Sequence, residues 1–168
     1  MNTRLVEVLP WLFVSDQRSA GVAHHLVSCR IERVVTVLDK YDRVKPPPVA
    51  VEHRRFDLAD MDTEDILPVA EAIYELIKDE KRTLVHCFAG QSRSVSVIAY
   101  YLRRSGLYAT TAAAFSVIEA VHGDTCPNPT FVRQITDALD YGAKGSAGST
   151  KLGPSSESAS ESASESES

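Results

Sequence analysis

Cys87, Gly90, Arg93 and Ser94 stand in one short run, Cys87-Phe88-Ala89-Gly90-Gln91-Ser92-Arg93-Ser94. Before it lies a β-prone segment, Thr83-Leu84-Val85, that leads through His86, and after it an apolar stretch of helical character. A loop between a buried strand and a helix N-terminus collects backbone N–H groups with no internal partner, and the helix dipole adds positive potential there. Such a loop binds phosphate. The planar guanidinium of Arg93 can grip two phosphate oxygens at once, and Gly90 supplies a position without a Cβ so that the backbone can fold round the ligand. The same field favours a thiolate at Cys87, which sets a nucleophile directly under an anion-binding cup. That is an arrangement for phosphoryl transfer through cysteine. Ser94 can donate its hydroxyl to the thiolate when the sulfur becomes the leaving group of a second step. A cysteine alone is more often a small buried hydrophobe than a nucleophile; here its neighbours at fixed offsets decide otherwise.

The elements that must hold this loop follow from periodicity and punctuation. Strands are expected at Leu5–Leu9 and Leu12–Ser15, broken at Pro10-Trp11, then a helix from about Ser19 to Val27 and a buried strand at Ile31–Leu38. Asp39 to Pro48, ending in three prolines, must be a surface loop. Val51–Leu58 can form another strand, and Asp60-Met61-Asp62 an acidic loop. Apolar residues at Ile66, Val69, Ala70, Ile73, Leu76 and Ile77 predict an amphipathic helix over Ile66–Lys78, with Asp62 or Thr63 as cap. Thr83-Leu84-Val85 reads as a central strand. Three helices complete the body: Ser94–Arg103 closed by Gly106, Thr111–Val121 ended by Gly123, and Pro129–Leu139 capped by Asn128. Strands interleaved with helices imply an α/β fold, one compact domain with a central, mixed but mostly parallel sheet flanked by helices.

The chain has 168 residues, 43% apolar and 24% charged, with a formal charge of −5, which suits a single globular domain. Residues 143–168 carry Lys144 and Lys151 against Glu157, Glu161, Glu165 and Glu167 and otherwise little but Ser, Ala, Gly and Thr. This Ser/Glu-rich tail is expected to be disordered, leaving residues 1–142 as the folded body. Neither part has the basic excess of a nucleic-acid binder. No apolar run approaches the roughly 18 residues of a membrane span, and the N-terminus lacks the apolar core of a secretory signal. The expectation is an intracellular protein of cytoplasm or nucleus, with no nucleic-acid partner and no membrane insertion. Three cysteines at wide spacing, Cys29, Cys87 and Cys126, indicate neither a disulfide framework nor a zinc site. Cys29 and Cys126 are read as packing residues, and His24-His25 as a helix surface pair with no acidic or Cys partner at ligand spacing. The basic pairs Arg54-Arg55, Lys81-Arg82 and Arg103-Arg104 are read as solvated faces, one of which can dock an acidic substrate.

The run Val85-His86-Cys87-Phe88-Ala89-Gly90-Gln91-Ser92-Arg93-Ser94 resembles the His-Cys-x5-Arg-Ser signature of the dual-specificity protein phosphatases. The likeness runs from about Val6 to Tyr141 and includes Pro127-Asn128-Pro129-Thr130-Phe131-Val132-Arg133-Gln134, similar to the family's Pro-Asn-x-Gly-Phe-x-x-Gln but with Thr130 at the usual glycine. Leu9-Pro10-Trp11-Leu12-Phe13-Val14-Ser15 is also similar, departing at Trp11 and Ser15, where the family often has glycine. The resemblance implies a two-step hydrolysis of phosphotyrosine and phosphoserine/threonine in a phosphorylated protein substrate, without metal or other cofactor, through a phosphocysteine at Cys87. It also implies a general acid in a loop some thirty residues earlier; Asp60 fits best, with Asp57 and Asp62 as competitors. His86 is read as hydrogen-bonding the backbone and tuning the thiol, and Asn128 as a helix cap whose second role, holding the phosphate loop, rests on the resemblance alone. Two other readings keep the same residues. One is a non-protein substrate such as a phosphoinositide, a glucan or an RNA 5′-phosphate, which the absence of lysine from the loop disfavours; the other is a phospho-binding pseudophosphatase.

Overall fold

The computed structural model describes residues 4–142, so the expected tail at 143–168 lies outside the described residues. Five strands, β1 (Val6–Leu9), β2 (Leu12–Ser15), β3 (Arg33–Leu38), β4 (Glu52–Asp57) and β5 (Thr83–His86), form one sheet in the order β1-β2-β5-β3-β4. Only the β1–β2 hairpin is antiparallel; β2, β5, β3 and β4 run parallel to one another. The strand that delivers Cys87 is therefore the central one. The expected α/β class and mostly parallel sheet are both observed.

Strand parity explains how the sheet is covered on both faces, because successive side chains point to opposite sides. Leu12, Val14, Val35, Val37 and Val85 face a large core with α3 (Leu67–Ile77), α4 (Arg93–Arg104), α5 (Thr111–His122) and α6 (Pro129–Thr136). Phe13, Val34 and Leu84 face a smaller core with α1 (Gln17–Ala20) and α2 (Ala23–Ser28). Helix α4 lies in the middle of the larger layer, with every residue from Arg93 to Leu102 buried. That burial fixes the residue at its start.

Several local expectations are corrected. The single helix from Ser19 to Val27 is two short ones, broken where the Gly21 N–H turns back to the Arg18 carbonyl at 3.1 Å. Neither Asp62 nor Thr63 caps α3; its first N–H groups go to Asp65 Oδ1 at 3.0 Å from Leu67 and to Gln134 Oε1 at 3.0 Å from Ile66. The last helix leaves α geometry at Thr136 and ends in one π-helical turn, Asp137–Tyr141. Asn128 does cap α6, its Oδ1 accepting from the Thr130 N–H at 2.9 Å. Cys126 is exposed rather than packed, while Cys29 is partly buried, and neither they nor Cys87 form a disulfide.

Candidate active site

Four segments converge on the β5–α4 turn. The turn begins at Cys87, only 2% exposed, and ends at Arg93, only 9% exposed, on the first turn of α4. The N–H groups of Phe88 to Ser92 find no acceptor among the described residues. Gly90 sits at φ +71°, and a Cβ there would come within 2.8 Å of the Ser15 and Asp16 backbone at the end of β2. The loop is thus pressed against the β2–α1 junction, where the Gln17 N–H donates to the Phe88 carbonyl at 3.0 Å. On the far side the Cys126 N–H donates to the Gln91 carbonyl at 2.9 Å, Gln91 Nε2 to Asp124 Oδ1 at 2.9 Å, and the His122 ring Nε2 lies 2.9 Å from the Gly90 carbonyl.

Within this cradle Cys87 Sγ lies 3.1 Å from Ser94 Oγ. Arg93 Nη1 donates to the Leu58 carbonyl at 3.1 Å, which orients the guanidinium, while its buried Nε has no partner among the described residues. A buried donor left open costs on the order of 1–3 kcal/mol. An anion seated in the loop removes that cost, and the open loop N–H groups receive the same ligand.

Asp60 follows β4 and joins the rim. Its Oδ1 accepts from Ser92 Oγ at 3.0 Å and from Asn128 Nδ2 at 3.1 Å, and Ser92 Oγ in turn accepts from the Asn128 N–H at 2.9 Å. The second oxygen, Oδ2, makes no hydrogen bond among the described residues, so it is available to carry a proton. The two competitors also use only Oδ1, but neither is tied to the phosphate loop. Asp57 takes the Arg55 guanidinium at 3.1 Å on the edge strand, and Asp62 accepts from Thr130 Oγ1 at 3.3 Å. Thr130, where the family has glycine, thereby ties α6 to the acidic loop.

Behind the loop, His86 is buried with Nδ1 3.3 Å from the Cys87 carbonyl and Nε2 2.8 Å from Thr36 Oγ1. A ring nitrogen facing a carbonyl must carry the hydrogen, so the Thr36 hydroxyl donates to His86 Nε2 and accepts from His53 Nε2, 2.9 Å away. Burial holds the His86 imidazole down at about 4, against the upward pull of its bond to the Cys87 carbonyl. A neutral histidine stands behind the nucleophile loop. Thr36 and His53 gave no signal in the sequence, since they meet His86 only through the register of three parallel strands. Among the described residues no group of His, Cys, Asp and Glu is placed to hold a metal ion.

The sequence profile described as dual specificity phosphatase, catalytic domain, matches residues 18–140. The chain belongs to the dual-specificity phosphatase family. It is 32% identical over 136 residues to human dual specificity phosphatase 28, covering 78% of this chain and 75% of that one. With mouse dual specificity protein phosphatase 19 the identity is 28% over 133 residues, covering 76% of this chain but 59% of the relative. The crystal structure of human DUSP28 superposes with a TM-score of 0.70 at 27% identity, over 83% of this chain and 97% of that one. The human tyrosine phosphatase-like serine/threonine/tyrosine-interacting protein shares the fold, at TM-score 0.74 and 23% identity, over 82% of this chain. By family this phosphatase is a phosphoric monoester hydrolase.

The three basic pairs are mostly engaged in holding this phosphatase together. Arg82 donates to the Cys29 and Pro10 carbonyls at 2.8 and 2.9 Å, Arg103 to Asp140 at 2.7 Å and Arg104 to Glu71 at 3.3 Å. Arg55 reaches the Asp39 carbonyl at 2.6 Å.

Proposed function

We propose that this phosphatase hydrolyses phosphotyrosine and phosphoserine/threonine in protein substrates through a phosphocysteine at Cys87. The observation that carries the reading is the shared rim: Asp60 is tied through Ser92 and Asn128 to the same loop that holds Cys87 and the open Nε of Arg93. The phosphate sits in the cup formed by Cys87, Phe88, Ala89, Gly90, Gln91, Ser92 and Arg93. Cys87 Sγ attacks phosphorus, the S–P bond forms as the P–O bond breaks, and the leaving oxygen takes its proton from Asp60 Oδ2. In the second step the Asp60 carboxylate takes a proton from water, whose oxygen attacks phosphorus. The P–S bond breaks, and the Ser94 hydroxyl donates to the departing thiolate. Three unpaired cysteines suit a reducing compartment, so the reading includes an intracellular, cytoplasmic or nuclear, site of action.

The test is hydrolysis of 4-nitrophenyl phosphate and phenyl phosphate by the parent chain and by Cys87→Ser, Asp60→Ala and Asp62→Ala. Cys87→Ser is expected to be inactive. Asp60→Ala is expected to lose about 10²–10⁴-fold on phenyl phosphate and much less on the nitrophenyl ester, whose leaving group needs no proton; Asp62→Ala stays near the parent rate. Turnover by Cys87→Ser, or an equal loss on both esters in Asp60→Ala, overturns the assignment. A peptide phosphorylated on threonine and tyrosine then reads out both specificities, and release from neither residue removes the proposed substrate class.

A further inference from the structure

A second cavity, of about 570 Å³, opens on the α1 side of the sheet, between that helix, the proline-rich segment 43–48 and the ends of β3 and β4. Its floor is the pair Thr36 and His86, and His53 lines its wall. It is distinct from the cavity over the phosphate loop, which Phe88, Ala89 and Gln91 line, and the two adjoin at Gln17 and Arg18. Its volume lies inside the range of roughly 300–1,000 Å³ typical of small-molecule sites.

The lining has one sign of charge. Arg18, Arg43 and Lys45 contribute cations and no carboxylate lines the cavity, although the chain as a whole is at −5. Arg43 and Lys45 are exposed and form no ion pair among the described residues. Arg43 and Lys45, two residues apart beside the cleft, give it a positive field that favours an anionic occupant. The apolar part of the wall comes from Val34, Val44 and three consecutive prolines, Pro46 to Pro48. Proline fixes its own φ, so this wall is largely formed in advance and little ordering cost is left for a ligand to meet.

We propose that this cavity is a second ligand site, for a small organic anion with an aromatic or branched aliphatic body, and that its occupancy is felt by the nucleophile loop. The body packs on the proline wall and Val34, and the acid group faces Arg43 and Lys45. Two connections join the site to the loop. The hydroxyl of Thr36 bridges His53 on the cavity wall to His86, whose other nitrogen holds the Cys87 carbonyl. Gln17 lines the cavity and its N–H holds the Phe88 carbonyl. A ligand that shifts either one moves the base of the phosphate cup without touching it.

The experiment titrates the full chain with 8-anilinonaphthalene-1-sulfonate, an aromatic sulfonate that cannot be hydrolysed, followed by fluorescence with and without saturating orthovanadate to fill the phosphate cup. One saturable site that survives vanadate is expected. Arg43→Glu/Lys45→Glu, folded by circular dichroism and unchanged in basal turnover, should weaken it at least tenfold. Turnover of 4-nitrophenyl phosphate should change when the probe saturates the parent chain, and Thr36→Val should keep the binding but reduce that change, leaving the part carried by Gln17. Displacement by vanadate, equal affinity in the charge-reversed variant, or saturation without any effect on turnover overturns the proposal. The fluorescence arm needs no catalysis, so its failure is distinguishable from failure of the phosphocysteine reading.

Discussion

At the scale of single residues, the site depends on a few positions that tolerate no neighbour. Gly90 is the sharpest case. Its φ of +71° lies in the left-handed region, and a methyl group there would stand 2.8 Å from the Ser15 carbonyl carbon and the Asp16 nitrogen. Those atoms are backbone and cannot swing away, so Gly90→Ala must move the loop off β2 or strain it. The expected outcome is a loss of about 1–3 kcal/mol in the free energy of urea unfolding and at least a tenfold fall in turnover of 4-nitrophenyl phosphate. An alanine variant with parental stability and rate would show that the loop is not clamped here. Cys87, Gly90, Arg93 and Ser94 were readable in the sequence because one loop carries them all. The links from Asp60 to Ser92 and Asn128 were not, because their partners lie 32 and 68 residues away and only the fold brings them together.

At the scale of elements, the hydrophobic pattern located every strand of the sheet and the helices that cover its larger face, while helix ends and breaks depended on contacts made across the fold. Residue type at a helix start did not reveal that Gln134, on α6, closes the N-terminus of α3. Nor did the pair Arg103-Arg104 reveal its use. Asp140, in the π-helical turn, accepts from Arg103 Nε at 2.7 Å, from the Thr111 hydroxyl at 3.0 Å and from the Thr111 N–H at 3.1 Å. One carboxylate thereby joins the end of α4, the start of α5 and the last turn of the body. It is 15% exposed, so these bonds are only partly screened. Asp140→Ala leaves Arg103 and Thr111 without their acceptor, and hydrogen bonds to a charged group are worth roughly 1.5–3 kcal/mol. A loss of about 2 kcal/mol in urea unfolding is expected, with turnover at the parental rate below the transition, since no atom of the active site is touched. Unchanged stability would mean that the three elements are held by their apolar contacts alone.

At the scale of the whole molecule, the buried histidine behind the loop links the stability of the fold to the pH at which it works. His86 is held at about 4 in the folded protein, chiefly by burial, against about 6.5 in an unfolded chain. Between those values the unfolded chain takes up a proton that the folded one refuses, so stability is complete above about 6.5 and is lost as the pH falls towards 4. A difference of two to three pH units corresponds to about 3 kcal/mol. Burial and the nearby Arg55 also hold His53 below its ordinary value, which adds to the loss in the same window. The carboxylates act lower. Asp79, drawn down to about 2 by its hydrogen bonds to Arg33, keeps its contribution above about 3.8 and loses it only as the pH drops through 2. It is half-exposed, so that contribution is screened. The fall between pH 6.5 and 4.5 therefore belongs to the histidines. Urea unfolding of the parent chain, His53→Gln and His86→Gln at pH 7.0, 5.5 and 4.5 separates them: the parent should lose most, His53→Gln less, and His86→Gln least. Parallel curves for the parent and His86→Gln would mean that the buried ring takes its proton without unfolding, and that the Thr36 bridge reverses to accept it.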